Sequence, residues 1–312
     1  MGTTASSVEL RSSMSASKPV VVGVDGSDAA STAVVWAART AAARKLPLLL
    51  VSVVHVPAYY YSEPYLVRGY GDDLKNAGRA HLDSAEVLAR EAVDETLEIE
   101  TKLHEGRIAE VLLQYAPGAS VIALGSRGLG ELSGAVLGSV ARAVAAHSTT
   151  PVAVVRGRTL DGHAPTEGPV VVGIDGSETS AAATEAAFRE ASARNAQLIA
   201  VNVWSDVSVQ PSLGATEDDP HWSAIQAAEE AVLSEQLAGL IEQYPDVPVQ
   251  RVVRRDRPVR VLSEFSEQAQ LLVVGSRGRG GFRGMLLGST SAALMSTADC
   301  PVLIVRPGGP AE

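Results

Sequence analysis

Two kinds of hydrophobic pattern alternate along the chain. Val20–Asp25 is an unbroken apolar, β-branched run ending in Asp-Gly-Ser, which predicts a strand buried on both faces and then a turn. Asp28–Lys45 is rich in alanine with apolar residues at helical spacing, and Pro47–Val54 is again solidly apolar. Asp72–Leu97 predicts a long, charged helix, and Glu98–Leu103 alternates like a half-buried strand. A short helix over Arg107–Ala116, a strand over Ser120–Leu124, a helix over Gly138–His147 and a strand over Pro151–Val155 complete the series. Strands that alternate with helices in this way indicate an α/β protein with a parallel, doubly wound sheet. Right-handed crossovers then fit five strands to the order 3-2-1-4-5.

The whole series occurs twice. Pro19–Asp28 (PVVVGVDGSD) recurs as Pro169–Glu178 (PVVVGIDGSE), and Leu124–Gly128 (LGSRG) recurs as Val274–Gly278 (VGSRG). Leu137-Gly138-Ser139 returns as Leu287-Gly288-Ser289, and Pro151-Val152 as Pro301-Val302, each at an offset of 150 residues. A constant offset over four separated segments predicts two tandem copies of one domain. We place them at 18–158 and 169–307, with a Gly/Pro/Thr-rich linker over 159–168 and a Ser/Thr-rich, disordered tail over 1–17.

Composition narrows the class. An apolar share of 46% with 20% charged residues excludes wholesale disorder. No apolar stretch reaches the ~20 residues that cross a membrane, and the amino-terminal segment has no apolar core of the secretory kind. A single cysteine, Cys300, supplies neither an internal disulfide nor a metal cluster. These features predict a soluble, cytoplasmic protein. The net charge of −10 lies almost wholly in residues 159–312, and an acidic total argues against nucleic acid as a partner.

Candidate chemistry gathers where the predicted strand order reverses, between the first and fourth strands, because ligands of such sheets bind there. After the fourth strand comes Gly125-Ser-Arg-Gly128, nine residues, then Gly138-Ser139 opening a helix; the second copy repeats this with Gly275, Gly278, Gly288 and Ser289. Glycines let the backbone approach an anion closely and adopt positive φ, and the helix N-terminus turns N–H groups toward it. Ser139 and Ser289 are placed to cap the helix or donate to a phosphate, and Arg127 and Arg277 to add charge-assisted bonds. Asp25 and Asp175 end the first strand of each copy, where a carboxylate either accepts from a ribose or closes an Asx turn.

The strand VVVGVDGS or VVVGIDGS followed by G-x2-G-x9-G-S, intact in both halves, resembles the universal stress protein family in its nucleotide-binding branch. The resemblance spans about Val20 to Arg306. It implies a flavodoxin-like fold, bound ATP (with Mg2+ as a possible companion) at two sites, and dimer contacts through the last strands. By resemblance Gly23, Val24 and Asp25 lie along adenine and ribose, and Val53 meets the adenine through its backbone. Gly125 lies near the ribose, and Gly128, Gly138, Ser139 and Val140 hold the phosphates. The second set is Gly173, Ile174, Asp175, Val203, Gly275, Gly278, Gly288, Ser289 and Thr290.

The second loop carries Arg277, Arg279 and Arg283, whereas the first has Arg127 balanced by Glu131, so loop charge predicts tighter triphosphate binding in the second copy. Tyr59, Tyr60, Tyr61, Tyr65 and Tyr70 cluster after the second strand, as a lid, a partner surface or local packing. Arg251, Arg254, Arg255, Arg257 and Arg260 read best as a solvated edge interspersed with Asp256. Val154-Val155-Arg156 and Ile304-Val305-Arg306 end strands that topology leaves at an edge, so the halves are expected to pair as a pseudo-dimer, and the whole to form a homodimer through such edges.

Enzymatic alternatives lack their residues. No GxGxxG follows the first strand, none of Lys18, Lys45, Lys75 and Lys102 follows a glycine as a Walker lysine must, and the six histidines show no metal-ligand spacing. The sequence therefore predicts a non-enzymatic, ATP-dependent regulator of a stress response, with slow ATP hydrolysis or phosphotransfer at the same sites as the alternative.

Overall fold

The computed structural model describes residues 17–55, 64–93, 96–128, 137–156, 164–204, 220–279 and 286–307, without the side chains of 64–70 and 220–223. The tail up to residue 16, the first half of the linker, Tyr59–Tyr61, and Leu129, Glu131 and Ser133 with Gly281 and Arg283 lie outside these residues, as do the side chains of Tyr65 and Tyr70. The first copy comprises strands β1 (Val20–Val24), β2 (Leu48–Val54), β3 (Ile99–Glu105), β4 (Val121–Gly125) and β5 (Val152–Val155). Its helices are α1 (Asp28–Arg44), α2 (Pro64–Glu91), α3 (Ile108–Tyr115) and α4 (Ser139–His147). The second copy repeats the plan with β6 (Val170–Ile174), β7 (Leu198–Trp204), β8 (Val249–Arg255), β9 (Leu271–Gly275) and β10 (Val302–Val305). Its helices are α5 (Glu178–Ala193), α6 (Pro220–Gln243), α7 (Pro258–Ser266) and α8 (Ser289–Thr297). Helix α2 begins eight residues before the expected Asp72: proline fits the first helical position, so Pro64 starts the helix that the tyrosine-rich stretch obscures.

Each copy has the strand order 3-2-1-4-5, and the two sheets fuse into one of ten strands, β3-β2-β1-β4-β5-β10-β9-β6-β7-β8. All neighbours are parallel except at the centre, where Val302 pairs antiparallel with Val154, Leu303 with Ala153 and Ile304 with Val152. The expected pairing of the halves is thus present, and it uses up the last strands through which a homodimer was expected. Strands β5 and β10 have neighbours on both sides, β4 and β9 being the others, so neither keeps an edge for a second chain.

A continuous apolar core covers each face of the sheet. Val20, Val22, Val170 and Val172 pack with α1, α2, α5 and α6, while Val21, Val154, Val171 and Val302 pack with α3, α4, α7 and α8. Alanines such as Ala33, Ala37 and Ala41 let α1 lie close to the strands, and its ends are fixed by Ser27, whose Oγ accepts from the Ala30 N–H, and by Lys45 at φ 54°. None of the described helices is long and apolar enough to cross a membrane. The arginine run falls on the outermost strand β8 and the start of α7, where Arg251, Arg254 and Arg255 are exposed and Arg260 pairs with Asp256 at 3.4 Å.

Polar groups bind the copies on both faces. On the α1/α5 side, Glu190, only 1% exposed, pairs with Arg44 of the first copy and with Arg194 at 3.1 Å. Arg194 also donates to Thr40 Oγ1 at 2.9 Å and lies 5.5 Å over the Trp36 ring; burial pushes its pKa down to about 10. By the 150-residue offset Glu190 corresponds to Thr40 and Arg194 to Arg44, so one carboxylate serves two equivalent arginines. On the other side, Arg156 donates to the Ser296 carbonyl in the last turn of α8, and Arg306 reciprocally to the Ala145 and Ala146 carbonyls of α4. Replacing Glu190 with Gln leaves two guanidiniums at the seam without their carboxylate. We expect a loss of about 3–5 kcal/mol, read as a lower urea midpoint.

Candidate functional site

In the first copy, β1 and β4 lie side by side with Val20 opposite Val121, and the chain leaves their carboxyl ends toward opposite faces of the sheet. The crevice that opens there starts at the Asp25-Gly26-Ser27 turn. Asp25 Oδ1 accepts from the Ser27 N–H at 3.0 Å and from Ser27 Oγ at 2.6 Å. Of the two readings of Asp25, the Asx turn is thus present. One oxygen closes the Asx turn, and the other faces Gly128, where a Cβ would come within 2.7 Å of it. Positive φ belongs to Gly26, at 84°, and not to the motif glycines Gly125, Gly128 and Gly138. Gly125 is needed for close packing, since a Cβ on it would lie 2.6 Å from the carbonyl carbon of Ala29 in the first turn of α1.

The helix facing this turn begins differently from expectation. Gly138, rather than Ser139, is the N-cap of α4, and no side chain caps it; Ser139 is already the first helical residue. The Gly138 N–H donates to the Ser126 carbonyl at 2.9 Å, which fixes the helix entrance beside β4. A glycine cap leaves the first-turn N–H groups of α4 without a side-chain acceptor, beside the cavity that Ser139, Val140 and Ala141 line. All ten candidate residues of this copy, Gly23, Val24, Asp25, Val53, Gly125, Arg127, Gly128, Gly138, Ser139 and Val140, line a single cavity of about 410 Å³.

The same frame stands in the second copy around Gly173, Ile174 and Asp175. Asp175 Oδ1 accepts from the Ser177 N–H at 3.0 Å and Oγ at 2.6 Å, and Oδ2 from the Arg279 N–H at 3.0 Å. Burial pushes the Asp175 pKa up, but the bonds from Ser177, Arg279 and Ser180 outweigh it and hold the carboxyl below its ordinary value. Gly176 carries the positive φ, at 79°, and a Cβ on Gly278 would meet Asp175 Oδ2 at 2.5 Å. Gly275 packs on Thr179, whose hydroxyl donates to the Arg277 carbonyl. Gly288 caps α8 without a side-chain bond, so Ser289 and Thr290 are its first helical residues, and Val203 lies near the end of β7. Arg279 departs from the charge expectation: its guanidinium crosses Gly176 and pairs with Glu229 at 3.2 Å. Of the two described arginines in this loop, one is thus answered by a carboxylate inside the chain.

The sequence profile described as the universal stress protein family matches residues 16–156 and, separately, 168–306. The chain belongs to that family. A universal stress protein of Mycobacterium tuberculosis is 42% identical over 289 residues, covering 92% of this chain and 96% of the relative. Another from the same organism is 39% identical over 297 residues, covering 95% and 98%. Among solved structures, a universal stress protein from Archaeoglobus fulgidus aligns over 94% of this chain and all of its own, with a TM-score of 0.67 at 19% identity, which shows a shared fold.

Several groups in this universal stress protein's first cleft were not singled out from the sequence. Ser52, Gly78, His81 and Leu112 also line it, and His81 lies directly over Gly26, where a Cβ would come within 2.5 Å of its Nε2. They come from β2, α2 and α3, far from the glycine motif; a glycine at position 78 inside a charged helix was the available signal. Cys300 is buried just before β10, its thiol pushed up to about 12 by burial, consistent with packing rather than nucleophilic use.

Two stability measurements test this geometry. Gly125→Ala sets a methyl against α1 backbone and should cost about 1–3 kcal/mol, while Gly128→Ala presses only on the Asp25 side chain and should cost less; urea melts rank them. Because hydrogen bonds hold Asp175 below its ordinary 3.8, its ionised form stabilises the fold above that pH, and this contribution is lost as pH falls through the folded-state value. The stability gap between the wild type and Asp175→Asn should accordingly shrink below about pH 4.

Proposed function

We propose that this universal stress protein binds ATP in its switch-point clefts and acts as a regulator of a stress response through the bound state, without efficient turnover. The observation that carries the reading is the convergence of all ten first-copy candidates on one cavity of about 410 Å³, a volume within the ~300–1,000 Å³ of small-molecule sites. Gly23 and Val24 with the Val53 backbone form the wall for the base, and Asp25 stands where a ribose hydroxyl would donate. Gly128 and the side-chain-free entrance of α4 offer backbone N–H groups to the phosphates, with Arg127 at the rim. When bound, the nucleotide would supply a charged tail for Gly128 and the entrance of α4 to hold. The cleft's carboxylate, Asp25, has one oxygen committed to the Ser27 turn, which suits a positioning group better than a base for water.

Denaturing the purified protein and separating the released small molecules should yield an adenine nucleotide. Asp25→Asn keeps the Asx turn but weakens the bond to ribose, so it should lower affinity about tenfold without changing the melting midpoint of the empty protein. Turnover should stay below about 1 s⁻¹; a faster rate assigns the cleft to catalysis.

A further inference from the structure

We infer that the two clefts are unequal and that the Glu229–Arg279 pair makes them so: nucleotide fills the first cleft, and the second admits it only when this pair opens. The inference rests on the nucleotide-binding reading of both clefts and assigns their order of filling.

Equivalent positions establish the contrast. Ser52 of β2 corresponds to Asn202 of β7 by the 150-residue offset. In the first copy, a Cβ on Gly78 of α2 would lie 3.5 Å from Ser52 Oγ, and three residues later His81 covers Gly26. In the second copy, Glu229 of α6 accepts from Asn202 Nδ2 at 2.9 Å, and three residues later Val232 lies 3.0 Å from the Cβ position of Gly176. Glu229 therefore occupies the place of Gly78. Where the first copy has a glycine packed under Leu103 and Val54 beside a small hydroxyl at the cavity wall, the second has a carboxylate and an amide bonded to each other.

That carboxylate also holds Arg279. The guanidinium donates to Glu229 Oε1 at 3.2 Å, lies against Gly176, and is anchored by its own N–H on Asp175 Oδ2. Main chain and side chain of one residue thus close over the turn that the ligand must reach. Glu229 is only 17% exposed, so a phosphate that draws Arg279 away leaves a largely buried carboxylate without its cation, close to the incoming negative charge. The added loop charge of the second copy does not strengthen it; the charge is spent internally. The cost of separating such a pair corresponds to roughly tenfold in affinity.

Titration of the full chain with ATP by calorimetry or equilibrium dialysis tests this. The wild type should show two binding classes separated by about tenfold or more. Asp25→Asn should weaken the tighter class and Asp175→Asn the weaker one. Glu229→Gln should strengthen the weaker class about tenfold by releasing Arg279. Asn202→Ser with Glu229→Gly, which rebuilds the first copy's floor in the second, should do the same and guards against misfolding of the single variant. Two equal classes in the wild type, a tighter class lost through Asp175→Asn, or a weaker class indifferent to both Glu229 variants overturns the inference while leaving nucleotide binding intact. Absence of binding in every protein, each shown folded by its melting curve, removes the nucleotide reading itself and this inference with it.

Discussion

The antiparallel contact between β5 and β10 is the constraint on which the rest of the molecule depends. Parallel sheets are stable when both faces are covered and their edges are managed. Each copy would otherwise present a fully apolar last strand, VAVV or VLIV, to water. Joining them makes two cores continuous across the chain and leaves the half-buried strands β3 and β8 outermost. The polar contacts at the seam then set the partner. Glu190 takes Arg44 of the first copy together with its own Arg194, while the equivalent position in the first copy is the uncharged Thr40, so the second copy alone supplies the carboxylate of the seam.

Much of this was legible in the sequence because the relevant signals are local or periodic. The offset of 150 residues gave the duplication, and solid apolar runs separated by helical spacing gave the strand order and the switch point. The glycine motif located the crevice for the same reason: its residues are contiguous at strand and helix ends. What stayed hidden comes from segments whose position is fixed only by tertiary packing. Gly78 and His81 reach the cleft because α2 folds back over β2, and apart from the glycine itself nothing near either residue announces that.

Individual glycines show how one motif carries different physical demands. Gly125 and Gly275 admit the first turn of the neighbouring helix, Gly128 and Gly278 make room for an aspartate, and Gly138 and Gly288 begin a helix. Within the motif regions the left-handed backbone sits in Gly26 and Gly176, inside the Asp-Gly-Ser turn. Loop charge is subject to a related constraint: counting arginines along a loop treats them as facing one ligand, whereas Arg279 has its counter-ion on α6.

The outermost strands have a consequence for how the particle behaves in company. A sheet of ten strands still ends twice, and each end offers backbone groups to any passing strand. At one end stand Glu100, Lys102 and Glu105, and at the other Arg251, Arg254 and Arg255. Stacking another molecule there would strip hydration from ionised groups at every step, so the architecture that fuses two domains at its middle discourages polymerisation at its tips.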